Sequence, residues 1–328
     1  MKPIILIVGN AVSNKLVLEQ LKIIFTLKTT DPKSLKKDLS MLKNVEVLWI
    51  HFDTFLDETY VGALNNIKLI VSTTTGVTHI CPVIQAKFKN RLITLKNRKV
   101  LETVSSTAEL TWALILHSNI NVNEAIKSVK NGEWNRQAHL RTKQLRSQRL
   151  GIIGFGRLGR MVAQMAKGFS MKVIVYDKDF KKQLAAISNK FTVTTSVQSL
   201  LMQSDIVSIH ADYNFGQEPI INLENLKLIS KPFILVNTSR AGLVDEQSII
   251  KYARINTDFK YLTDVLSFEE NNLNLQRSNL WKQSLKNDRF VVTPHIGGAN
   301  NEAIYICERE LLNSIEIEFS KKNNYFNH

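Results

Sequence analysis

Cysteine is scarce in this chain, and the structures that cysteine usually supports are not indicated. The 328 residues include two cysteines, Cys81 and Cys307, and neither is part of a CxxC motif or a Cys/His cluster. The spacing therefore favours neither a disulfide framework nor a structural zinc site. A low, scattered cysteine content fits a reducing compartment, so we predict a cytoplasmic protein.

Long apolar runs are also missing. The N-terminal run Ile4–Val8 ends at Gly9 and Asn10, which makes it too short for a signal-peptide core or a membrane span. We therefore predict no membrane association. Hydrophobic residues make up 44% of the chain and charged residues 22%, values that exclude a disordered or collagen-like protein. A chain of this length is expected to form two domains.

Acidic residues are also few compared with basic ones. The chain has 43 Lys and Arg against 29 Asp and Glu, a formal net charge of +14. Such a charge could attract nucleic acid, anionic lipid or an acidic small molecule. The basic stretch Trp134–Arg149 has little apolar content, which predicts a solvated connector. Because no helix-turn-helix, stacking-aromatic or zinc pattern accompanies the charge, we predict no specific nucleic-acid partner.

Short apolar runs alternate with helix-length segments along both halves of the chain. The runs that predict strands are Ile4–Val8, Val45–Ile50, Ile67–Ser72, Leu150–Ile153, Lys172–Tyr176, Ile206–Ile209, Phe233–Val236, Tyr261–Val265 and Phe290–Thr293. This alternation predicts an α/β fold in which helices cross between parallel strands in a doubly wound order. Predicted helices include Leu16–Phe25, a buried helix at Leu110–Ile120 and a last helix at Asn301–Phe319.

A glycine motif points to a dinucleotide. Gly154, Gly156 and Gly159 follow the apolar run at 150–153 and open a helical stretch, so the backbone could approach a pyrophosphate at a helix N-terminus. Asp177 ends the next strand at close to the roughly 20-residue spacing expected of the ribose-binding carboxylate. That carboxylate favours NAD over NADP, although Lys178 leaves NADP open. A structural glycine turn is the alternative, and the strand–turn–helix context favours the dinucleotide.

Further motifs follow one another along the chain. They are Ser72–Ile80, Ser106–Leu116, Gly151–Gly159 with Asp177, Ser204–His210, Val236–Glu246, Thr263–Glu270 and Thr293–Gly298. In this order they resemble the D-isomer-specific 2-hydroxyacid dehydrogenase family. The resemblance implies a substrate loop at the first motif, an interdomain helix at the second, and a cofactor-binding domain across the others.

The resemblance implies a complete architecture and activity. It predicts two Rossmann-like doubly wound domains, with a cofactor domain (101–298) inserted into a discontinuous flavodoxin-like substrate domain (1–100 and 299–328), and catalysis in the cleft between them. The implied activity is NAD-dependent interconversion of a 2-keto acid and a D-2-hydroxy acid by hydride transfer, without a metal. A homodimer is implied, with the segment Ala108–Arg149 supplying contact. Because corepressors of the C-terminal-binding-protein type share these motifs, an NAD(H)-sensing binding module is the alternative.

The resemblance also assigns catalytic roles. Arg240 would hold the substrate carboxylate and carbonyl oxygen, because a planar guanidinium offers paired donors. His295 would be the general acid for ketone reduction and the general base for oxidation. Glu269 would hydrogen-bond His295 and favour its protonated form. Each residue also has a structural interpretation: Arg240 paired with Asp245 or Glu246, a buried His295, and a solvated Glu269.

The remaining assignments concern binding. Thr75 and Gly76 would offer backbone N–H groups to the substrate carboxylate, and the absence of an arginine at Ser72 argues against 3-phosphoglycerate. Asp264 and Thr238 would lie near the nicotinamide. The predicted cofactor-binding set is Gly154, Gly156, Arg157, Leu158, Gly159, Asp177, Ala211, Thr238, Ser239 and Asp264. The histidines without support from the resemblance are predicted to be structural: His79, His117 and His139.

Overall fold

The computed structural model describes residues 2–140, 143–214, 216–267, 269 and 275–323. They form two compact units. The first unit holds residues 2–104, 269 and 299–323, and the second holds 105–140, 143–214, 216–267 and 275–298. Each unit is built on an all-parallel sheet flanked by helices, which confirms the predicted α/β, doubly wound fold class.

The first unit has a five-stranded sheet. Its strands are β1 (Ile4–Val8), β2 (Thr26–Thr30), β3 (Val47–Ile50), β4 (Leu69–Ser72) and β5 (Leu92–Ile93). They lie in the flavodoxin-like order β2-β1-β3-β4-β5. Its helices are α1 (Lys15–Ile24), α2 (Pro32–Lys37), α3 (Pro82–Lys87) and the C-terminal helix (Asn301–Asn323).

The burial of apolar side chains accounts for the strands and helices of the first unit. Every residue of β3 and β4 is buried, as expected for strands covered on both faces. On one face, Trp49 of β3 packs in a cluster with Leu21 of α1 and Leu311 of the C-terminal helix. Leu101 belongs to the same cluster, so the chain stays with this unit beyond residue 100. None of the described helices has the length and apolar character needed to cross a bilayer.

The second unit has a seven-stranded sheet. Its strands are β6 (Arg149–Ile153), β7 (Lys172–Tyr176), β8 (Thr192–Val193), β9 (Ile206–Ile209), β10 (Ile234–Asn237), β11 (Lys260–Thr263) and β12 (Phe290–Val292). They lie in the order β12-β11-β10-β9-β6-β7-β8, so the switch point of the Rossmann order falls between β6 and β9. Ligands bind at the carboxyl ends of the strands at such a point.

Helices cover both faces of the second sheet. They are α4 (Ser106–Ile120), α5 (Val122–Lys130), α6 (Arg157–Gly168), α7 (Phe180–Ser188), α8 (Val197–Gln203), α9 (Leu223–Lys227), α10 (Glu246–Ile255) and α11 (Asn279–Ser284). The buried helix expected at 110–120 is α4, and the Trp112 indole N–H donates to the Val162 carbonyl of α6 at 3.2 Å. This contact fixes α4 against the helix that follows the glycine motif.

Candidate active site

The glycine motif forms a tight turn between β6 and α6. Gly154 has φ +91°, and a Cβ there would lie 2.6 Å from the backbone nitrogen of Ala211. A Cβ on Gly159 would collide with the Gly154 carbonyl oxygen. Glycine is therefore required at both positions, because backbone atoms occupy the space that a side chain needs. Ala211, which was predicted to bind the cofactor, therefore lies against the glycine turn.

Gly156 differs from its neighbours. It caps α6, and apart from Gly156 itself and its two chain neighbours, no heavy atom of the described chain lies within 4 Å of the position its Cβ would take. Arg157, Leu158 and Gly159 form the first turn of α6, where N–H groups have no intrahelical partner. An open cradle at the positive end of a helix suits a pyrophosphate. The residues present therefore fit a dinucleotide.

Asp177 lies beside this turn, after the end of β7. Its side chain is 5% exposed, and its oxygens accept the Phe155 N–H at 2.7 Å and the Asp179 N–H at 2.8 Å. The Lys182 ammonium lies 3.7 Å from the carboxylate. These contacts hold a carboxylate next to the glycine turn, where it matches the predicted ribose-binding position and opposes a 2′-phosphate.

His210 follows β9 at the switch point, and the sequence interpretation gave it no role. Its Nε2 lies 2.8 Å from the Ser208 hydroxyl, while no described residue hydrogen-bonds its buried Nδ1. Burial lowers the pKa of His210 to about 3, so the ring is neutral at ordinary pH. The two-residue spacing of Ser208 and His210 could have predicted their contact, because residues two apart in an extended chain have side chains on the same side.

Thr238 and Ser239 follow β10 and join neighbouring elements. The Ser239 hydroxyl donates to the Ala211 carbonyl at 2.8 Å. Thr111 of α4 donates to the Thr107 carbonyl, so its contact of 2.7 Å with Thr238 requires Thr238 to be the donor. Two predicted cofactor residues are thus anchored to the loop after β9 and to α4. Thr107 and Thr111 were not predicted, because Thr107 donates to the Gly297 carbonyl and Thr111 meets Thr238, and both partners are distant in sequence.

His295 lies on a short loop after β12. It has φ +52°, the left-handed region, and its N–H donates to the Thr293 carbonyl at 3.0 Å. A non-glycine residue held in this conformation is costly, and such positions cluster at functional sites. The side chain is half-buried, so the fully buried structural interpretation does not describe it.

Asp264 holds the His295 loop in place. Its carboxylate is 1% exposed and accepts the Thr293 hydroxyl at 2.5 Å, the Ile296 N–H at 2.9 Å and the Gly297 N–H at 2.8 Å. These bonds fix the chain on both sides of His295. The predicted contact of Asp264 with the nicotinamide stays a prediction.

Arg240 follows β10 in extended backbone geometry. The Asn237 amide donates to the Arg240 carbonyl at 2.9 Å, and the Arg240 guanidinium donates to the Ser239 carbonyl at 2.7 Å. Of the two acids proposed as structural partners, Asp245 caps α10 and Glu246 accepts the Ser267 N–H at 2.8 Å. Both carboxylates therefore have structural functions of their own.

The other predicted residues belong to the first unit. Thr75 and Gly76 follow β4; Thr75 is exposed and Gly76 is half-buried. Glu269 is also half-buried. Of the histidines predicted to be structural, His79 is buried, whereas His117 and His139, in the second unit, are half-buried.

A family model agrees with this arrangement. The model of the D-isomer specific 2-hydroxyacid dehydrogenase NAD binding domain matches residues 112–297, more than half of the chain. The chain belongs to the D-isomer-specific 2-hydroxyacid dehydrogenases. As a member of this family it is an NAD-dependent oxidoreductase, and the glycine turn with Asp177 supplies the features that NAD needs.

Relatives of this dehydrogenase share most of its length. The hydroxypyruvate reductase of Thermotoga maritima is 30% identical over 82% of this chain and 84% of its own. The glyoxylate reductase of Thermococcus litoralis is 30% identical over 83% and 81%. The match to the D-3-phosphoglycerate dehydrogenase of Methanocaldococcus jannaschii, 28% identical, spans 48% of that protein. The solved D-lactate dehydrogenase of Aquifex aeolicus has the same fold, with a TM-score of 0.81, 24% identity, and coverage of 98% of this chain and 96% of that one.

The side chains that could bind a metal are dispersed in the described part of this dehydrogenase. Within the described ranges, no group of three or more His, Cys, Asp or Glu residues is placed to hold a metal ion.

Proposed function

We propose that this dehydrogenase interconverts a small 2-keto acid and the D-2-hydroxy acid, with His295 as the general acid and base. The observation that carries the proposal is the His295 loop, held in left-handed geometry by a buried carboxylate at the edge of the cofactor-binding sheet. NAD(H) supplies or accepts the hydride when bound. In reduction, the imidazolium of His295 gives its proton to the substrate carbonyl oxygen; in oxidation, the neutral ring takes it back.

Glu269 has the role of stabilising the protonated histidine. A carboxylate that accepts a hydrogen bond from imidazolium favours the acid form that ketone reduction needs. The order of the family motifs supports this assignment. Thr75 and Gly76 would bind the substrate carboxylate through backbone N–H groups.

The substrate class is a small, unphosphorylated 2-keto acid. Relatives include a hydroxypyruvate reductase and a glyoxylate reductase, each matched over most of its length. Ser72 is fully buried at the end of β4, where the resemblance places the arginine that meets a phosphate in phosphoglycerate-using members. A hydroxyl carries no positive charge, so it cannot replace that arginine.

Arg240 provides the test of substrate binding. We expect Arg240→Lys to raise the KM for the keto acid by about tenfold to a hundredfold, because an ammonium cannot form the paired hydrogen bonds of a guanidinium. The affinity for NADH, measured by fluorescence titration, should stay the same. An unchanged KM would mean that Arg240 only supports the turn after β10.

A homodimer is the second part of the proposal. Helix α5 has no buried residue, and Val122, Ile126 and Val129 form an exposed apolar stripe along it. Trp134, just beyond the helix, is 90% exposed. A second copy of the chain would cover these side chains, because contiguous exposed apolar surface is unusual in monomers. The segment is the one that the family resemblance assigns to the dimer.

The stripe on α5 can be tested by charge insertion. We expect the wild type to sediment as a dimer and Ile126→Asp as a monomer, since burying an unpaired carboxylate in an apolar interface is costly. Asn123→Asp adds the same charge to the same helix outside the stripe and should remain dimeric. A monomeric wild type, or a dimeric Ile126→Asp, would refute this interface. The cytoplasmic location and the lack of a nucleic-acid partner stay predictions.

A further inference from the structure

A row of buried polar side chains lies behind the substrate loop of the first unit. Ser72, the last residue of β4, is fully buried, and Thr74 and His79 are 8% and 3% exposed. His79 Nε2 lies 2.9 Å from the Ser72 hydroxyl, and this hydroxyl lies 2.8 Å from that of Thr74. Thr74 in turn donates to the Gly76 carbonyl at 2.6 Å. The row therefore ends inside the loop predicted to bind the substrate carboxylate.

Only one assignment of donors and acceptors satisfies the hydrogen bonds of this row. The Thr74 proton is committed to the Gly76 carbonyl, because a carbonyl oxygen only accepts. Ser72 must then donate to Thr74, which uses the one proton of the serine hydroxyl. The His79 contact therefore has to be an Nε2–H donor bond to Ser72. The geometry fixes which nitrogen of His79 carries a proton.

This row holds Gly76, the residue of the loop whose backbone is least restricted. Glycine has the least restricted backbone, so the peptide after Gly76 could rotate unless its carbonyl were held. The Thr74 hydroxyl holds that carbonyl toward the interior. A loop fixed before the ligand arrives presents its N–H groups without a further loss of conformational freedom on binding.

The other side of the same tract is fixed independently. The Trp49 indole N–H donates to the Thr73 hydroxyl at 2.7 Å, and that hydroxyl donates to the Ala11 carbonyl at 2.8 Å. The backbone of His79 is also held, since its carbonyl accepts the Leu56 N–H at 2.8 Å. Hydrogen bonds of Thr73 and Thr74 thus fix the chain after β4 up to Thr75, whose side chain is exposed.

We propose that His79 is a positioning residue: through Ser72 and Thr74 it holds the loop at Gly76 in the conformation that binds the substrate carboxylate. This inference rests on the proposed function for the role of the loop. The direction of the hydrogen bonds stands on the geometry alone. Ser72 and Thr74 are the intermediate members of the row, and His79 donates to Ser72.

Paired substitutions at His79 test the positioning role. We expect His79→Leu to raise the KM for the keto acid by about tenfold to a hundredfold with a smaller change in kcat, because the loop loses its fixed geometry. His79→Gln keeps an N–H donor at a similar reach and should stay within about threefold of the wild type. The affinity for NADH should not change in either variant. Equal KM values for His79→Leu and the wild type would overturn the proposal.

A double substitution tests whether the residues act as one row. Ser72→Ala should raise the KM as His79→Leu does, and the two together should be no worse than either alone, since residues of one network are not additive. Additive effects would contradict a shared row. Thermal unfolding of each variant identifies any that fails to fold.

The tautomer of His79 tests the proposal in the wild-type protein. Nitrogen NMR of the histidine rings should show His79 protonated at Nε2. A neutral ring protonated at Nδ1 alone would overturn the proposal. If the tautomer is as expected but no keto acid is reduced by the wild type, the proposed function has failed and the hydrogen-bond order stands.

Discussion

Replacing His295 should abolish most of the reduction of the keto acid. We expect kcat to fall by about 10²–10⁴-fold, the usual contribution of a general acid. Two variants are needed because His295 has φ +52°. His295→Ala places an alanine in strained left-handed backbone, whereas His295→Asn tolerates that geometry and lacks an ionisable ring. Both should lose activity to a similar degree if the proton is what matters. Steady-state oxidation of NADH measures the loss.

The control is the removal of a different histidine. His139 is half-buried in a short turn of the second unit, and His139→Ala should keep full activity. The affinity of His295→Asn for NADH should match that of the wild type, since the glycine turn and Asp177 are untouched. Activity of His295→Asn within about tenfold of the wild type would remove His295 from the mechanism.

Asp264→Asn should be both destabilising and damaging to catalysis. An amide replaces one acceptor oxygen with a donor, so at least one of the Thr293, Ile296 and Gly297 donors loses its partner. A buried unsatisfied donor costs about 1–3 kcal/mol, and the lost charge weakens the remaining bonds. We expect the free energy of unfolding to fall by about 3 kcal/mol and kcat/KM by about 10²-fold. Urea denaturation and NADH oxidation measure the two effects.

Asp258→Asn is the matched control. Asp258 is exposed and lies a few residues earlier, between α10 and β11. The same change there should alter the free energy of unfolding by less than about 0.5 kcal/mol. If Asp264→Asn unfolds like the wild type, the three hydrogen bonds do not hold the loop. If it loses NADH affinity in proportion to kcat/KM, the predicted nicotinamide contact outweighs the positioning of His295.

Much of the fold could be predicted because buried parallel strands are continuously apolar. The runs Ile4–Val8, Lys172–Tyr176 and Ile206–Ile209 coincide with β1, β7 and β9. The edge strand β2 was not predicted: its sequence Thr-Leu-Lys-Thr-Thr is mostly polar and partly exposed. An edge strand is partly exposed, so it need not have the continuous apolar run of a parallel strand that is covered on both faces.

The candidate site was predicted less completely than the fold. The motif order identified the glycine turn, Arg240 and His295, because these residue types occur at fixed spacings. It did not identify the hydrogen bonds of Asp264 to the His295 loop or the link from His79 to Gly76. The Asp264 contacts depend on how separate segments meet, such as Thr263 and Val292 pairing across β11 and β12. The link from His79 to Gly76 is local, and it depends on how the chain after β4 turns back so that His79 meets Ser72. Neither the strand register nor the path of a loop can be read from the order of motifs in one sequence.

The most direct test of the central claim is the oxidation of NADH by the purified wild type across a panel of 2-keto acids. The panel should include glyoxylate, hydroxypyruvate and pyruvate, with the chirality of each chiral product determined. We predict that at least one acid is reduced, that chiral products have the D configuration, and that His295→Asn loses the activity. Tight binding of NADH without turnover of any acid would contradict the dehydrogenase account and favour a dinucleotide-sensing module.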